Sequence, residues 1–187
     1  MVVSMNPTSL DLIRDTFVDV MFAKERAATL FYNRLFYLAP ETRTLFRSDL
    51  EEQGRMFVEA LAKIVTGLDR LESLLPELKA LAVRHVRYGV EERHYAIVGS
   101  ALLHMVQELA WPMFNTDTER AWSEAYAVVS GAMIEASRPE WQRLARTPSD
   151  HAPTSGSRPT EGESPNGNRP RRSHKLLSRT TPAMNFG

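Results

Sequence analysis

The sequence contains no cysteine, which excludes a disulfide framework, a thiolate metal site and a cysteine nucleophile. It lacks any apolar run near the roughly 18 residues needed to span a bilayer, and Met1-Val-Val-Ser-Met-Asn-Pro7 has no basic segment leading into an apolar stretch. A soluble, cytoplasmic protein without a membrane span is therefore expected. An excess of either charge is missing as well: 23 Lys+Arg balance 23 Asp+Glu. Nothing in that balance argues for a nucleic acid, an anionic membrane surface or an acidic substrate, so no nucleic-acid partner is expected. Up to Arg146 there is also no alternating apolar segment bounded by turn residues, and hence no sign of a strand.

What is present is helical spacing. Gln53, Phe57, Ala60 with Leu61, Ile64 and Leu68 recur at intervals of three and four and share one helix face. Leu74 with Leu75, Leu78, Leu81 with Ala82, and His85 repeat the pattern. Tyr95, Val98, Leu102, Met105 with Val106, and Leu109 form a third stripe, and Trp122, Tyr126, Val129, Met133 and Ala136 a fourth. Helix starts are expected at Thr8-Ser-Leu-Asp11, Ser48-Asp-Leu-Glu51 and Thr116-Asp-Thr-Glu119, each an oxygen followed three residues later by a carboxylate. Pro40 is expected to start a short helix and Pro76 another, Gly89 to end the helix carrying His85, and Pro112 with Asn115 to close the next. One all-α domain over residues 1–146 follows.

After Arg146 the composition turns to Pro, Ser, Thr, Gly, Asn and Arg, with six of the eleven prolines. Such a segment buries too little surface to offset its ordering entropy, so residues 147–187 are expected to be a disordered tail. It holds six basic and three acidic residues, +3 against −3 for the body. Its basic stretch from Arg169 to Lys175 reads first as a solubilising tail, and second as a contact for an anionic partner.

His85 stands on an otherwise apolar stripe. Alone, it reads as a core histidine more readily than as a ligand. A haem site would need a neutral imidazole on one side of a dry, flat slot and a second helix face opposite. The stripe headed by Gln53 begins 32 residues before His85, which leaves room for a helix, a loop and a returning helix.

Five short stretches, taken in register, resemble one family: Phe31-Tyr-Asn-Arg-Leu-Phe36, Pro40-Glu-Thr-Arg-Thr-Leu-Phe46, Gln53-Gly-Arg55, His85-Val-Arg-Tyr-Gly-Val90 and His94-Tyr-Ala-Ile-Val-Gly99. They are similar to the single-domain bacterial haemoglobins and to the haem domain of flavohaemoglobins, from about Thr8 to Ser137. The resemblance implies a globin fold, a three-over-three helical sandwich, with haem b as cofactor. It implies that His85 binds the iron and that Phe46 wedges against the haem after a short helix begun by Pro40. Tyr32 and Gln53 resemble the distal pair, whose O–H or N–H would stabilise the partial negative charge on bound dioxygen by about 1 to 3 kcal/mol. Phe46, Phe57, Leu61, Leu81, Val98 and Leu102 would line the slot, with Tyr95 near the ligand on the proximal side. Arg84 and Arg87 flank His85, where basic residues pair with haem propionates in the family; a solvated helix face is the alternative.

One position departs from the family. A carboxylate late in the last helix strengthens the proximal imidazole's donation to iron in flavohaemoglobin-like proteins. Here that position is Ser137; Glu135 lies on another face and Glu140 follows Pro139. The expected activity is thus reversible binding of dioxygen, with nitric oxide and carbon monoxide as further diatomic ligands, in a monomer or homodimer. Rival readings are a nitric-oxide dioxygenase, which would need a separate reductase because the tail has neither the length nor a glycine-rich nucleotide motif, a gas sensor acting through a partner, and a globin fold without haem.

Overall fold

A computed structural model describes residues 5–46 and 49–146. The expectation of a disordered tail, and the basic stretch within it, lie outside the described residues. Among the described residues there are six helices: α1 (Pro7–Phe22), α2 (Lys24–Leu38), α3 (Leu50–Gly67), α4 (Leu71–Arg87), α5 (Glu92–Leu109) and α6 (Thr116–Arg146). Short 3-10 turns, Pro40–Leu45 and Leu68–Arg70, join α2 to α3 and α3 to α4. No strand occurs among the described residues. The chain folds as a three-over-three sandwich: α2 packs on α5 and α5 on α6 in one layer, α3 contacts α1 and α4 in the other, and α4 crosses α6 between the layers.

Each stripe read from the sequence supplies core. Leu61 is buried on α3, where Val58 and Val65 outside the stripe join it, Leu78 and Ala82 on α4, Leu102 and Met105 on α5, and Trp122, Val129 and Met133 on α6. The buried indole of Trp122 donates to Thr16 Oγ1 at 2.9 Å, and Thr16 donates in turn to the Leu12 carbonyl at 2.7 Å. An otherwise costly polar group thereby ties α6 to α1.

The helix starts differ from expectation. Asn6 caps α1, its side chain accepting from Thr8 N–H at 3.0 Å with Pro7 in the first turn, so Thr8 lies inside the helix. Asp49 caps α3 through Glu51 N–H, and Asn115 caps α6 through the N–H groups of Asp117 and Thr118. Pro76 does not open a helix: α4 begins five residues earlier, because Leu71 and Leu74 pack against the core and outweigh the one backbone hydrogen bond that a proline removes. Likewise α6 continues through Pro139 to Arg146. The short turn at Pro40 and the stop at Gly89 stand where they were expected.

Two glycines fix the frame. Gly89 has φ +95°, a conformation that side chains disfavour, and reverses the chain after α4; there Val90 N–H donates to the His85 carbonyl at 3.0 Å, closing the helix on the histidine itself. At Gly54 an added Cβ would come within 2.6 Å of Ala28 Cβ, so its bare backbone is what lets α3 approach α2.

Candidate functional site

Between the layers lies a cavity of about 180 Å³ whose walls are almost wholly apolar. Phe57, Leu61 and Ile64 enter from α3, Leu81 and His85 from α4, Tyr95, Val98 and Leu102 from α5, and Phe46 from the turn after α2. Phe31, Leu35, Trp122 and Met133 complete much of the remaining wall. Residues from five helices thus converge on one space.

His85 is half-buried on α4, and its Nδ1 lies 2.9 Å from the carbonyl oxygen of Leu81, one turn back. A carbonyl only accepts, so Nδ1 carries the proton and Nε2 the lone pair. Burial, more than the neighbouring Arg84 charge, lowers the His85 pKa to about 4 despite that hydrogen bond. The imidazole is therefore neutral near pH 7. A neutral imidazole with its Nε2 lone pair preset, at the wall of a dry cavity, is the donor chemistry that a haem iron requires, so the residues present fit that group.

Below His85, α6 crosses α4. Ser137 is fully buried; its hydroxyl lies 3.5 Å from the Ala82 carbonyl and beside the hydroxyl of Tyr95, whose pKa is raised chiefly by burial. The backbone carbonyl of Tyr95 accepts a hydrogen bond from Tyr126. Glu135 is turned outward and pairs with Arg138 at 2.9 Å. Glu140 pairs instead with Arg143 at 2.8 Å and with Arg87 at 3.4 Å, so the Arg87 guanidinium is engaged by α6. Arg84 does not line the cavity, and its Nε is buried without a hydrogen-bonding partner.

On the opposite wall, Gln53 is 1% exposed and Tyr32 4% exposed. Neither lines the cavity. Phe31 occupies the wall in place of Tyr32 and stacks on Phe57 with ring centroids 4.0 Å apart. Tyr32 lies behind these rings, edge-on to Phe46 at 5.2 Å, and its hydroxyl donates to the backbone carbonyl of Gln53 at 3.4 Å. The two polar residues meet, one layer behind the cavity surface.

His94 also lines the cavity, although the sequence marked it only as the first residue of the stretch His94-Tyr-Ala-Ile-Val-Gly99. Its place at the third position of α5 was the available signal: its Nδ1 accepts from Glu91 N–H at 3.0 Å while the Glu91 side chain accepts from its backbone N–H. Among the described residues no group of three or more His, Asp or Glu is arranged to hold a metal ion, and no helix is long and apolar enough to cross a membrane.

A family model described as Globin matches residues 29–133. The chain is 30% identical over 129 residues to a flavohaemoprotein of Vibrio cholerae, covering 67% of this chain and 33% of that one. It therefore spans about a third of the length of such relatives. It is 34% identical over 103 residues to a globin-like protein of Aquifex aeolicus, covering 55% of this chain and 73% of that relative. Among solved structures, a bacterial globin from Campylobacter jejuni superposes with a TM-score of 0.64 at 25% identity, covering 73% of this chain and 99% of that one.

Proposed function

This chain belongs to the globin family, and from that premise we propose that it binds haem b in the cavity between its layers and carries dioxygen reversibly, with His85 as the residue that would hold the iron. The observation that carries this reading is the state of His85: neutral, with Nδ1–H held by the Leu81 carbonyl and the Nε2 lone pair preset at an apolar wall. When bound, ferrous haem supplies the coordination position that takes up a diatomic gas.

The chain's own residues do the rest. The Leu81 carbonyl and the Val90-to-His85 backbone bond orient the imidazole. Phe46, Phe57, Leu61, Leu81, Val98 and Leu102 keep water from the cofactor faces, which slows oxidation. Arg84, whose buried Nε lacks a protein acceptor, is a residue that would pair with a haem carboxylate. Gln53 and Tyr32, which meet behind the Phe31 and Phe57 rings where the Tyr32 hydroxyl donates to the Gln53 backbone carbonyl, are the polar pair that would donate to the bound gas. Ser137 supplies no negative charge beneath the imidazole, which favours binding over oxidative activation of the ligand.

The test is an absorption spectrum of the purified protein in reduced, carbon-monoxide-bound and oxygenated states, beside His85→Ala. The expected result is haem uptake with a stable oxygenated spectrum in the wild type and loss of both in the variant. A wild type that takes up no haem, or a variant with the wild-type spectrum, overturns the assignment.

A further inference from the structure

The cavity holds two histidines, and the backbone sets them in opposite tautomers. At His85, Nδ1 donates to a carbonyl and Nε2 keeps the lone pair. At His94, Nδ1 accepts from Glu91 N–H at 3.0 Å, so Nδ1 bears the lone pair and Nε2 the proton. A nitrogen that carries a proton cannot ligate a metal, but it can donate. That donor is buried, on a side chain only 5% exposed, and it finds no acceptor within the protein. A buried N–H left unpaired costs about 1 to 3 kcal/mol. The capping pair with Glu91 holds the ring in place, and no protein group recovers that cost.

The nearby charges are already committed. Arg93, adjacent in sequence, donates to Glu41 at 3.0 Å and to Glu91 at 2.8 Å. It is not available to bind an anion at the cavity edge. Leu45 reaches the position of Gly89 from the other side, so the turn before α3 meets the loop that leads into α5, the helix carrying His94.

On the footing of the proposed haem site, we infer that His94 is a cofactor-anchoring residue, its Nε2–H donating to a carboxylate oxygen of the haem. The carboxylates are the hydrogen-bond acceptors on the rim of that otherwise apolar disc, and a charged acceptor gives the stronger bond. The two cavity histidines then divide the work: His85 holds the iron and His94 the rim.

The experiment measures the rate of ferric haem transfer to an excess of a haem-scavenging apoprotein, for the full chain as wild type, His94→Leu and His94→Gln, each loaded with haem or with its dimethyl ester. The inference expects His94→Leu to lose haem about tenfold faster or more, the amount a hydrogen bond to a charged group is worth. It expects His94→Gln, which keeps an N–H, to recover most of the retention. It expects wild type and His94→Leu to lose the dimethyl ester at similar rates, because the charged acceptor has been removed. Equal acceleration with haem and with its ester indicates a purely structural role and overturns the inference. So does a change in the carbon-monoxide stretching frequency in His94→Leu, which assigns the donor to the gas ligand. Failure of the wild type to take up haem overturns the proposed function itself, a result distinct from either of these.

Discussion

Ser137 stands fully buried beside the Tyr95 hydroxyl, under the segment of α4 that carries His85. The sequence resemblance puts a carboxylate at this point, and the helical register of α6 leaves neither neighbour to replace it: Glu135 pairs outward with Arg138, and Glu140 is drawn to Arg143 and Arg87. A Ser137→Glu variant restores the charge. In the haem-loaded ferrous protein, the iron–histidine stretching frequency measured by resonance Raman is expected to rise, because a carboxylate nearby makes the imidazole a stronger donor. The variant is also expected to unfold at lower denaturant concentration, since a buried charge must be desolvated. An unchanged frequency in a folded, loaded variant would show that proximal polarisation does not depend on this position. The distal side was only partly legible at the same scale. Spacing of three and four put Gln53 and Phe57 on one face; Phe57 lines the cavity, and Gln53 lies behind its surface. Phe31 and Tyr32, however, are adjacent aromatic residues, each 4% exposed; which ring meets the cavity is set by about 100° of helix rotation and by the stacking of Phe31 on Phe57, and neither can be read from a pair of letters.

Among the described elements, α6 is the longest, and its last turns clasp the corner after His85. Trp141 donates its indole N–H to the Val90 carbonyl at 2.9 Å, and Glu140 links Arg87 to Arg143. Hydrogen bonding from Arg143 foremost, together with that from Arg87, holds the Glu140 carboxyl at about pH 2, below its ordinary 4.5. The sign follows from linkage: a carboxylate whose folded pKa is depressed contributes stability that is complete above 4.5 and is lost as pH falls toward 2. Subtracting the denaturation midpoint of Glu140→Gln from that of the wild type should therefore give a difference that is constant above pH 5 and shrinks between pH 4.5 and 2. A difference independent of pH across that window would mean that the ion pair is not formed in solution. Pro139 does not interrupt α6, and Pro76, expected to open a helix, lies inside α4. A proline removes one backbone bond, whereas Trp141 beyond one and Leu71 with Leu74 before the other bury apolar surface that outweighs it. Helix existence was legible from the stripes, but the capping residue was not: Asn6, Asp49 and Asn115 each lie one or two residues from another plausible cap, and the choice is made by where the first turn packs.

For the molecule as a whole, the cavity is lined by side chains from α2 to α6, in both layers, and only the folded chain brings them together. A ligand held there binds the native state and not the unfolded one, so its binding free energy adds to the folding free energy. Free haem at about 100 times its dissociation constant should stabilise the protein by about 2.7 kcal/mol. With about 4 °C of Tm for each kcal/mol in a domain of this size, the melting temperature should rise by about 10 °C and continue to climb with haem concentration. His85→Ala should start from a similar apoprotein Tm, because the histidine is half-buried and its truncation leaves the apolar stripes intact, yet gain much less from added haem. Scanning calorimetry of both proteins over a series of haem concentrations separates two contributions, the apolar slot that both share and the axial bond that one lacks. If the two Tm curves rise together, the slot alone holds the cofactor and His85 adds nothing to retention; if neither rises, the cavity does not bind haem.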